Sequence, residues 1–397
     1  MKKTLKHPIA VLGLPLDSLT ADGAVASIEN LILSGGTHQV ATANLDFWLN
    51  SLADRHLHRI IAGCSLVLPD GMPLVWVSRL LGCPLAERVT GVDLVPRLAQ
   101  LSAEKGYSVF LLGGKGNVAE RARDLLQVKF PGVRIVGTYA PSEEEMEQVD
   151  QAELIDRIQA VKPDILLVAL GNPKQEKWIW LQRKRLGVPV SMGVGGSFEI
   201  LVGDVRRAPS WIQRCGLEWA MRFMQEPGRL GPRYARDFFG LAKTLPATLL
   251  AGWMQRPFLG SSHINTVTTP QAMHVYVHGK LGAEVGPALL EASAASVAAN
   301  LVMVVHLQGA KHVTAAGLGS MMSARRNLLD HGLTLSLAGL QFKHKFLLHA
   351  WCAHPLFDEW PSTIAYARSM AKDMETSARL DLHRKADALA SQTRARG

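Results

Sequence analysis

The sequence predicts an α/β protein: a mostly parallel sheet with helices on both faces, a basic helical appendage, and a second small α/β unit. Three observations carry this reading. Short apolar runs alternate with amphipathic helical stretches over residues 1–205, as in a sheet covered on both sides. The net charge of +9 is concentrated, because nine of the 43 Lys+Arg but only three of the 34 Asp+Glu fall within 206–256. A Pro-, Ser-, Thr- and Gly-rich stretch, 257–270, then precedes a second alternating segment, 271–360. The polar, Ala-rich tail 361–397 is expected to be a helix fraying into disorder.

The elements follow in order. The apolar run 9–16 is short, contains Gly13 and Pro15, and meets Asp17 without a cleavage signal, so it reads as a first strand and turn rather than a leader. Strands are predicted at 38–42, 66–68, 108–112, 134–138, 165–169 and 188–193, with helices that include 93–105 and 118–129. In 238–254, Phe238, Leu241, Leu245, Leu249 and Trp253 recur at helical spacing, flanked by Arg233, Arg236 and Arg256. Such a helix suits an anionic membrane surface or simply packs on its own domain. In the second unit, strands are predicted at 275–277, 301–307 and 333–338, and helices at 284–299, 316–331 and 342–350.

Composition bounds the function. A chain of 397 residues, 48% hydrophobic and 19% charged, has material for more than one core and is not a disordered chain. The basic balance implies an anionic partner: phosphate, nucleic acid or acidic lipid. No aromatic-and-basic platform supports nucleic acid. Cys64, Cys83, Cys215 and Cys352 are far apart, which fits reduced thiols in the cytosol. Most of the 14 histidines lie after residue 260, including His274/His278 and His344/His349/His354, and surface or packing roles are favoured over a metal.

Polar or glycine-rich loops follow five of the six strands, where open α/β sheets bind ligands. Thr42 and Asn44 end the first; they suit sugar hydroxyls, and Asn44 equally suits a helix cap. Asp70, between Pro69 and Gly71, sits on a rigid turn that would mount a general base. Arg88 could fork a phosphate or carboxylate, with Asp93 close behind. Gly113 and Gly114 lead into a helix, where free N–H groups hold an anion or merely make a tight turn. Gln175 follows Gly171-Asn172-Pro173-Lys174, and Gly195 and Gly196 follow the last strand.

As an ordered set these loops are specific. Thr42-Ala-Asn44, Pro69-Asp70-Gly71, Arg88-Val-Thr-Gly91-Val-Asp93, Phe110-Leu-Leu-Gly-Gly114, Gly171-Asn-Pro-Lys-Gln175-Glu and Gly193-Val-Gly-Gly196 precede Arg207-Ala-Pro209-Ser-Trp211, Gly216-Leu-Glu-Trp219 and Glu226-Pro227. Together they resemble the WecG/TagA/CpsF family of bacterial glycosyltransferases, from about residue 8 to about 240. The resemblance implies a Rossmann-like core. It implies inverting transfer of N-acetylmannosamine, N-acetylmannosaminuronic acid or glucose from a UDP-sugar to an undecaprenyl-diphosphate-linked sugar, without a cofactor or metal. It places the base at Asp70 and the substrate pocket at Thr42, Asn44, Arg88 and Gln175. It assigns the departing diphosphate to appendage arginines near Arg222, Arg229 and Arg233, with the register after Pro227 interrupted by Pro232. It also implies a cytoplasmic protein, peripheral on the inner face of the cytoplasmic membrane.

The second unit resembles a STAS domain in its strand–helix order and in Val313-Thr-Ala-Ala-Gly-Leu-Gly319, which leads into a helix. Thr314 and Ala315 stand where that family offers an Asp and a phosphorylatable Ser. The resemblance therefore implies docking of a protein partner without the phospho-switch; a purely structural extension is the alternative. Two other readings are weaker. A non-catalytic scaffold would not need the retained loop residues, and a nicotinamide oxidoreductase would need GxGxxG.

Overall fold

The computed structural model describes residues 8–142, 152–254 and 261–360. A hairpin of β1 (Ile9–Val11) and β2 (Leu14–Leu16) opens the chain where the sequence predicts one strand and a turn. Helix α1 (Ala21–Ser34) starts at Thr20, whose hydroxyl accepts from the Gly23 N–H. The large sheet begins with β3 (His38–Ala43), followed by α2 (Leu45–Ala53), α3 (Arg55–Gly63) and β4 (Leu66–Pro69). Next come α4 (Met72–Leu80), α5 (Gly91–Lys105), β5 (Ser108–Gly113), α6 (Val118–Lys129) and β6 (Arg134–Tyr139). Finally α7 (Ala152–Val161), β7 (Ile165–Ala169), α8 (Lys174–Leu186) and β8 (Val190–Gly193) complete it.

These six strands are all parallel, in the order β4-β3-β8-β7-β5-β6, and they are the six predicted strands. Their pleat explains the double cover. Val109 and Leu111 of β5, and Ile165 and Leu167 of β7, face α1, α5 and α6. Phe110, Leu112, Leu166 and Val168 point the other way, onto α7 and α8. The hairpin, α2, α3 and α4 cover the β3–β4 end with Trp48, Leu57 and Val75. Buried apolar rows on both faces leave the carboxyl-end loops as the polar region of the sheet.

After α9 (Ser197–Leu201), which ends the core, the appendage comprises α10 (Ser210–Arg214), α11 (Glu218–Gln225) and α12 (Pro227–Met254). Helix α12 runs through both Pro232 and Pro246. The expected single apolar stripe divides. Leu241 and Leu245 turn inward onto the core of the first sheet, whereas Phe238 and Trp253 are exposed. The outward apolar row is instead Phe239, Leu250 and Trp253, because a helix gripped on one side must put its inward positions against the neighbour it touches.

The second unit starts earlier than predicted. Strand β9 (His263–Thr268) lies inside the supposed 257–270 linker and pairs antiparallel with β10 (Ala272–Leu281). Its Thr-rich, alternating sequence reads locally as a loop and becomes a strand only beside β10. Then follow α13 (Gly286–Ala298), β11 (Val302–His306), β12 (Ala310–Val313), α14 (Ala315–Asp330), β13 (Leu335–Ala338), α15 (Phe342–Ala350) and β14 (Asp358–Glu359). The sheet order is β12-β10-β11-β13-β14, with β9 also on β10. Thr314 caps α14, its hydroxyl accepting from the Gly317 N–H. The tail 361–397 lies outside the described residues.

The two sheets are joined through α14 and the hairpin. A Cβ on Gly319 of α14 would collide with the Pro8 carbonyl oxygen, so only glycine allows this approach. The Arg326 guanidinium, also on α14, donates to the carbonyls of Pro15 (2.9 Å) and Ala62 (3.3 Å) and pairs with Asp17 (3.4 Å). Ala10, Ala62 and Ala251 belong to the same apolar cluster as Met321, Met322 and Leu328.

Candidate active site

The site lies at the carboxyl ends of β3, β4, β7 and β8. The Asp70 N–H donates to the Ala43 carbonyl (2.8 Å) and the Val89 N–H to the Pro69 carbonyl (2.8 Å), which ties three loops together. A Cβ on Gly71 would lie 3.3 Å from Asn44, so glycine lets the Asp70 turn close onto the Asn44 loop. The Asp70 carboxylate has no hydrogen bond or ion pair to another described residue, unlike its acidic neighbours. Burial pushes its pKa up to about 6, assisted by Glu218 and Asp93 and opposed by Arg88 and Arg222. An unpaired carboxylate of raised basicity, faced by two guanidiniums, is equipped to accept a proton from a neutral hydroxyl beside an anion.

The groups around it are paired. Arg88 bonds Glu218 (2.8 Å), which Arg207 approaches at 3.7 Å while itself bonding Asp93 (2.6 Å). Asp93 also accepts from the Thr90 hydroxyl (2.7 Å) at the start of α5. Glu218 and Arg222 come from α11, so the appendage folds over the Asp70 loop.

A second group surrounds β8. The Thr42 hydroxyl donates to the Gly193 carbonyl (3.3 Å). The Gln175 carbonyl oxygen accepts from the N–H groups of Gly171 and Gly195, both at 3.1 Å. Its amide donates to Glu176 (2.6 Å), whose other oxygen accepts from Asn172 (2.9 Å). A Cβ on Gly193 would lie 2.5 Å from the Gln175 amide nitrogen. Burial raises the Glu176 pKa to about 7, against its hydrogen bonds from Gln175 and Asn172. Gln175 therefore braces two glycine loops; its amide does not point freely into the cleft.

A third group links Asn44 to the arginine helix. The Asn44 side chain caps α2 by accepting from the Phe47 N–H (3.0 Å), the alternative its sequence context allows. Two residues on, the buried Asp46 carboxylate binds Arg233 (3.0 Å) and Arg236 of α12. Asn50 bridges Asp46 (3.4 Å) to Asn172 (2.8 Å), so this group joins the second.

At the start of α6 the Gly114 N–H donates to the Ala169 carbonyl (3.0 Å) and Gly113 adopts φ +97°, the geometry of the tight turn that the sequence equally allows. The Gly113–Gly114 turn closes the β5–β7 edge and stands apart from the Asp70 cluster. Gly196 caps α9. The Arg229 side chain lies outside the described residues. The sequence assigns no site role to Asp46, Glu176 or Glu218, and it marks Arg207 only as part of a motif and Arg236 only as the flank of a helix. Asp46 and Glu176 stand within or beside the quoted motifs, but their partners lie over a hundred residues away or within a buried turn. Among the described residues, no three His, Cys, Asp or Glu side chains gather as a metal ion would require.

A parallel sheet whose carboxyl-end loops carry Asp70 beneath the basic appendage is an arrangement suited to group transfer. The model of the glycosyl transferase WecG/TagA/CpsF family matches residues 9–255, and the chain belongs to that family. An N-acetylglucosaminyldiphosphoundecaprenol N-acetyl-beta-D-mannosaminyltransferase of Bacillus spizizenii is 35% identical over 190 residues, 48% of this chain and 72% of that protein. A protein of the same name from Staphylococcus aureus strain MW2 is 30% identical over 225 residues, 56% of this chain and 87% of that protein. Both matched stretches leave a large part of this chain uncovered, and the family model stops before the second sheet begins.

Proposed function

We propose that the chain transfers N-acetylmannosamine from UDP to an undecaprenyl-diphosphate-linked N-acetylglucosamine, with inversion. The observation that carries this is the Asp70 carboxylate, without a partner among the described residues and within the field of Arg88 and Arg222, in a chain of this family. The relatives' names supply the sugar and the acceptor. Asp70 takes the proton of the attacking acceptor hydroxyl. The new C–O bond forms at the anomeric carbon as the bond to the β-phosphate oxygen breaks, and UDP departs with that electron pair. Arg222, Arg229 and Arg233, with Arg88 released from Glu218, neutralise the leaving diphosphate without a metal. Thr42, Asn44, Asp93, Gln175, Gly195 and Gly196 shape the donor pocket around it, Asp93 by holding Arg207. Titration with UDP and with uridine tests the arginine role. Arg222→Ala should weaken UDP about tenfold while leaving uridine unchanged; an equal change for both would remove Arg222 from the diphosphate site.

We further propose that α12 lies on the cytoplasmic membrane surface. No described helix is long and apolar enough to cross a membrane. Phe239, Leu250 and Trp253 are each at least half exposed on one side of α12, beside Arg236 and Lys243, which suits an anionic interface. Flotation with phosphatidylglycerol vesicles should be strong for the native protein and largely lost in the double variant Phe239→Ser/Trp253→Ser. Equal flotation would contradict this placement. We read the second unit as STAS-like, on its strand–helix order and the Thr314 cap.

A further inference from the structure

We infer that the C-terminal unit is an intramolecular clamp that holds α12, and with it Arg233 and Arg236, on the catalytic core of the same chain. The helix is gripped at both ends. Near its start, the buried Asp46 carboxylate takes Arg233 (3.0 Å) and Arg236. Midway, Leu241 and Leu245 pack on the core of the first sheet. Near its end, the grip comes from the second unit. The Thr248 hydroxyl donates to the Ala350 carbonyl (2.7 Å), and the Trp351 indole N–H donates to the Thr248 carbonyl (3.2 Å). Ala251 has no exposed surface and belongs to the apolar core of the second unit, with Ala247 packed against it.

The second unit can hold the helix because it is itself fixed to the core. Arg326 reaches Pro15, Asp17 and Ala62, Gly319 abuts Pro8, and Arg59 of α3 pairs with Asp358 (2.9 Å). Core, second unit and α12 thus form a closed ring of contacts. Without the second unit, a helix of 28 residues bearing a basic N-terminal half and an exposed apolar row is left with the ion pairs to Asp46 and apolar contacts such as Leu241, Leu245 and the approach of Gly240 to Leu49. The arginine ends of those pairs reach solvent, which limits what they hold. The clamp supplies the arginines from within the chain, so a second copy is not needed to complete the site. The segment beyond the family match thereby positions Arg233 and Arg236, acting through Thr248, Ala251 and Trp351. The catalytic consequence rests on the transferase reading above; the mechanical one does not.

The test is hydrogen–deuterium exchange on the full chain, with transfer to a water-soluble, short-chain lipid-diphosphate acceptor measured in parallel. Ala251→Glu puts a charge where no solvent reaches. Residues 227–254 should lose about tenfold or more in protection while β3, β7 and β8 keep theirs, and kcat/KM for the sugar nucleotide should fall about tenfold. Thr248→Val removes the hydroxyl that bonds Ala350 and Thr244, and Trp351→Phe removes the indole N–H with part of a buried ring; they serve if Ala251→Glu does not fold, and each should raise exchange in the same segment and leave the strands of the first sheet unchanged. Unchanged protection of α12, protection lost evenly through the core, or a released α12 with unchanged kcat/KM would each overturn the clamp. If the native protein transfers no sugar, the transferase reading fails, and the exchange pattern still judges the clamp.

Discussion

Asp70→Asn is expected to lower kcat by about 10²–10⁴ while leaving UDP affinity nearly unchanged. The amide keeps the shape of the turn that Pro69 and Gly71 set, so the loop should stay in place. What it loses is the ability to accept a proton. The pH dependence supplies a second signature. The folded pKa of Asp70 is raised to about 6, chiefly by burial. The base works deprotonated, so activity is full above that value and is lost as pH falls through it. The native kcat/KM should therefore drop about tenfold per pH unit on the acid side, and the residual rate of the Asn variant should lack that limb. A variant with native turnover would remove Asp70 as the base.

Arg326→Leu should destabilise the whole chain by about 3–5 kcal/mol, read as a lower urea midpoint. Arg326 joins α14 to the hairpin and to α3, and both it and Asp17 are largely buried. Its removal strands Asp17, which also accepts from the Val67 N–H (2.7 Å) and so cannot swing out to water. Burial already raises the Asp17 pKa in spite of Arg326. A raised folded pKa means the charged form costs stability above the unfolded value, and acid relieves that cost. The deficit of the variant should accordingly shrink as pH falls toward the ordinary carboxylate range, and Asp17→Asn combined with Arg326→Leu should recover part of it. An unchanged midpoint would mean the two sheets are independent of this contact.

Much of the catalytic half is legible in the sequence because its signals are local. Each parallel strand is a short apolar run, and Asp70 is set between a proline and a glycine that announce a turn. The loops also lie at one end of one sheet, so reading the strands correctly is enough to gather Thr42, Asp70 and Gln175, whereas Arg88 arrives on the connection between α4 and α5. What is not legible depends on pairing across the chain. β9 lacks a local strand signature, and β14 has two residues. The bonds Arg88–Glu218 and Asp46–Arg233 span more than a hundred residues. Asn44 reads in the sequence equally as a sugar contact or a helix cap, and it caps α2; Gln175, a pocket position by resemblance, braces glycine loops. Side chains at strand ends serve backbone groups first, because buried N–H donors must be satisfied. The row on α12 divides for a similar reason: helical spacing defines faces, and only the neighbours decide which face is covered.

The central claim, sugar transfer at Asp70, is tested most directly by mass spectrometry of the lipid product. The full chain is incubated with a panel of UDP-sugars and undecaprenyl-diphosphate-linked N-acetylglucosamine. UDP-N-acetylmannosamine should extend the acceptor by one N-acetylhexosamine, and Asp70→Asn should abolish the extension under the same conditions. An acceptor left unextended by every donor, or extended equally well by Asp70→Asn, would contradict the claim.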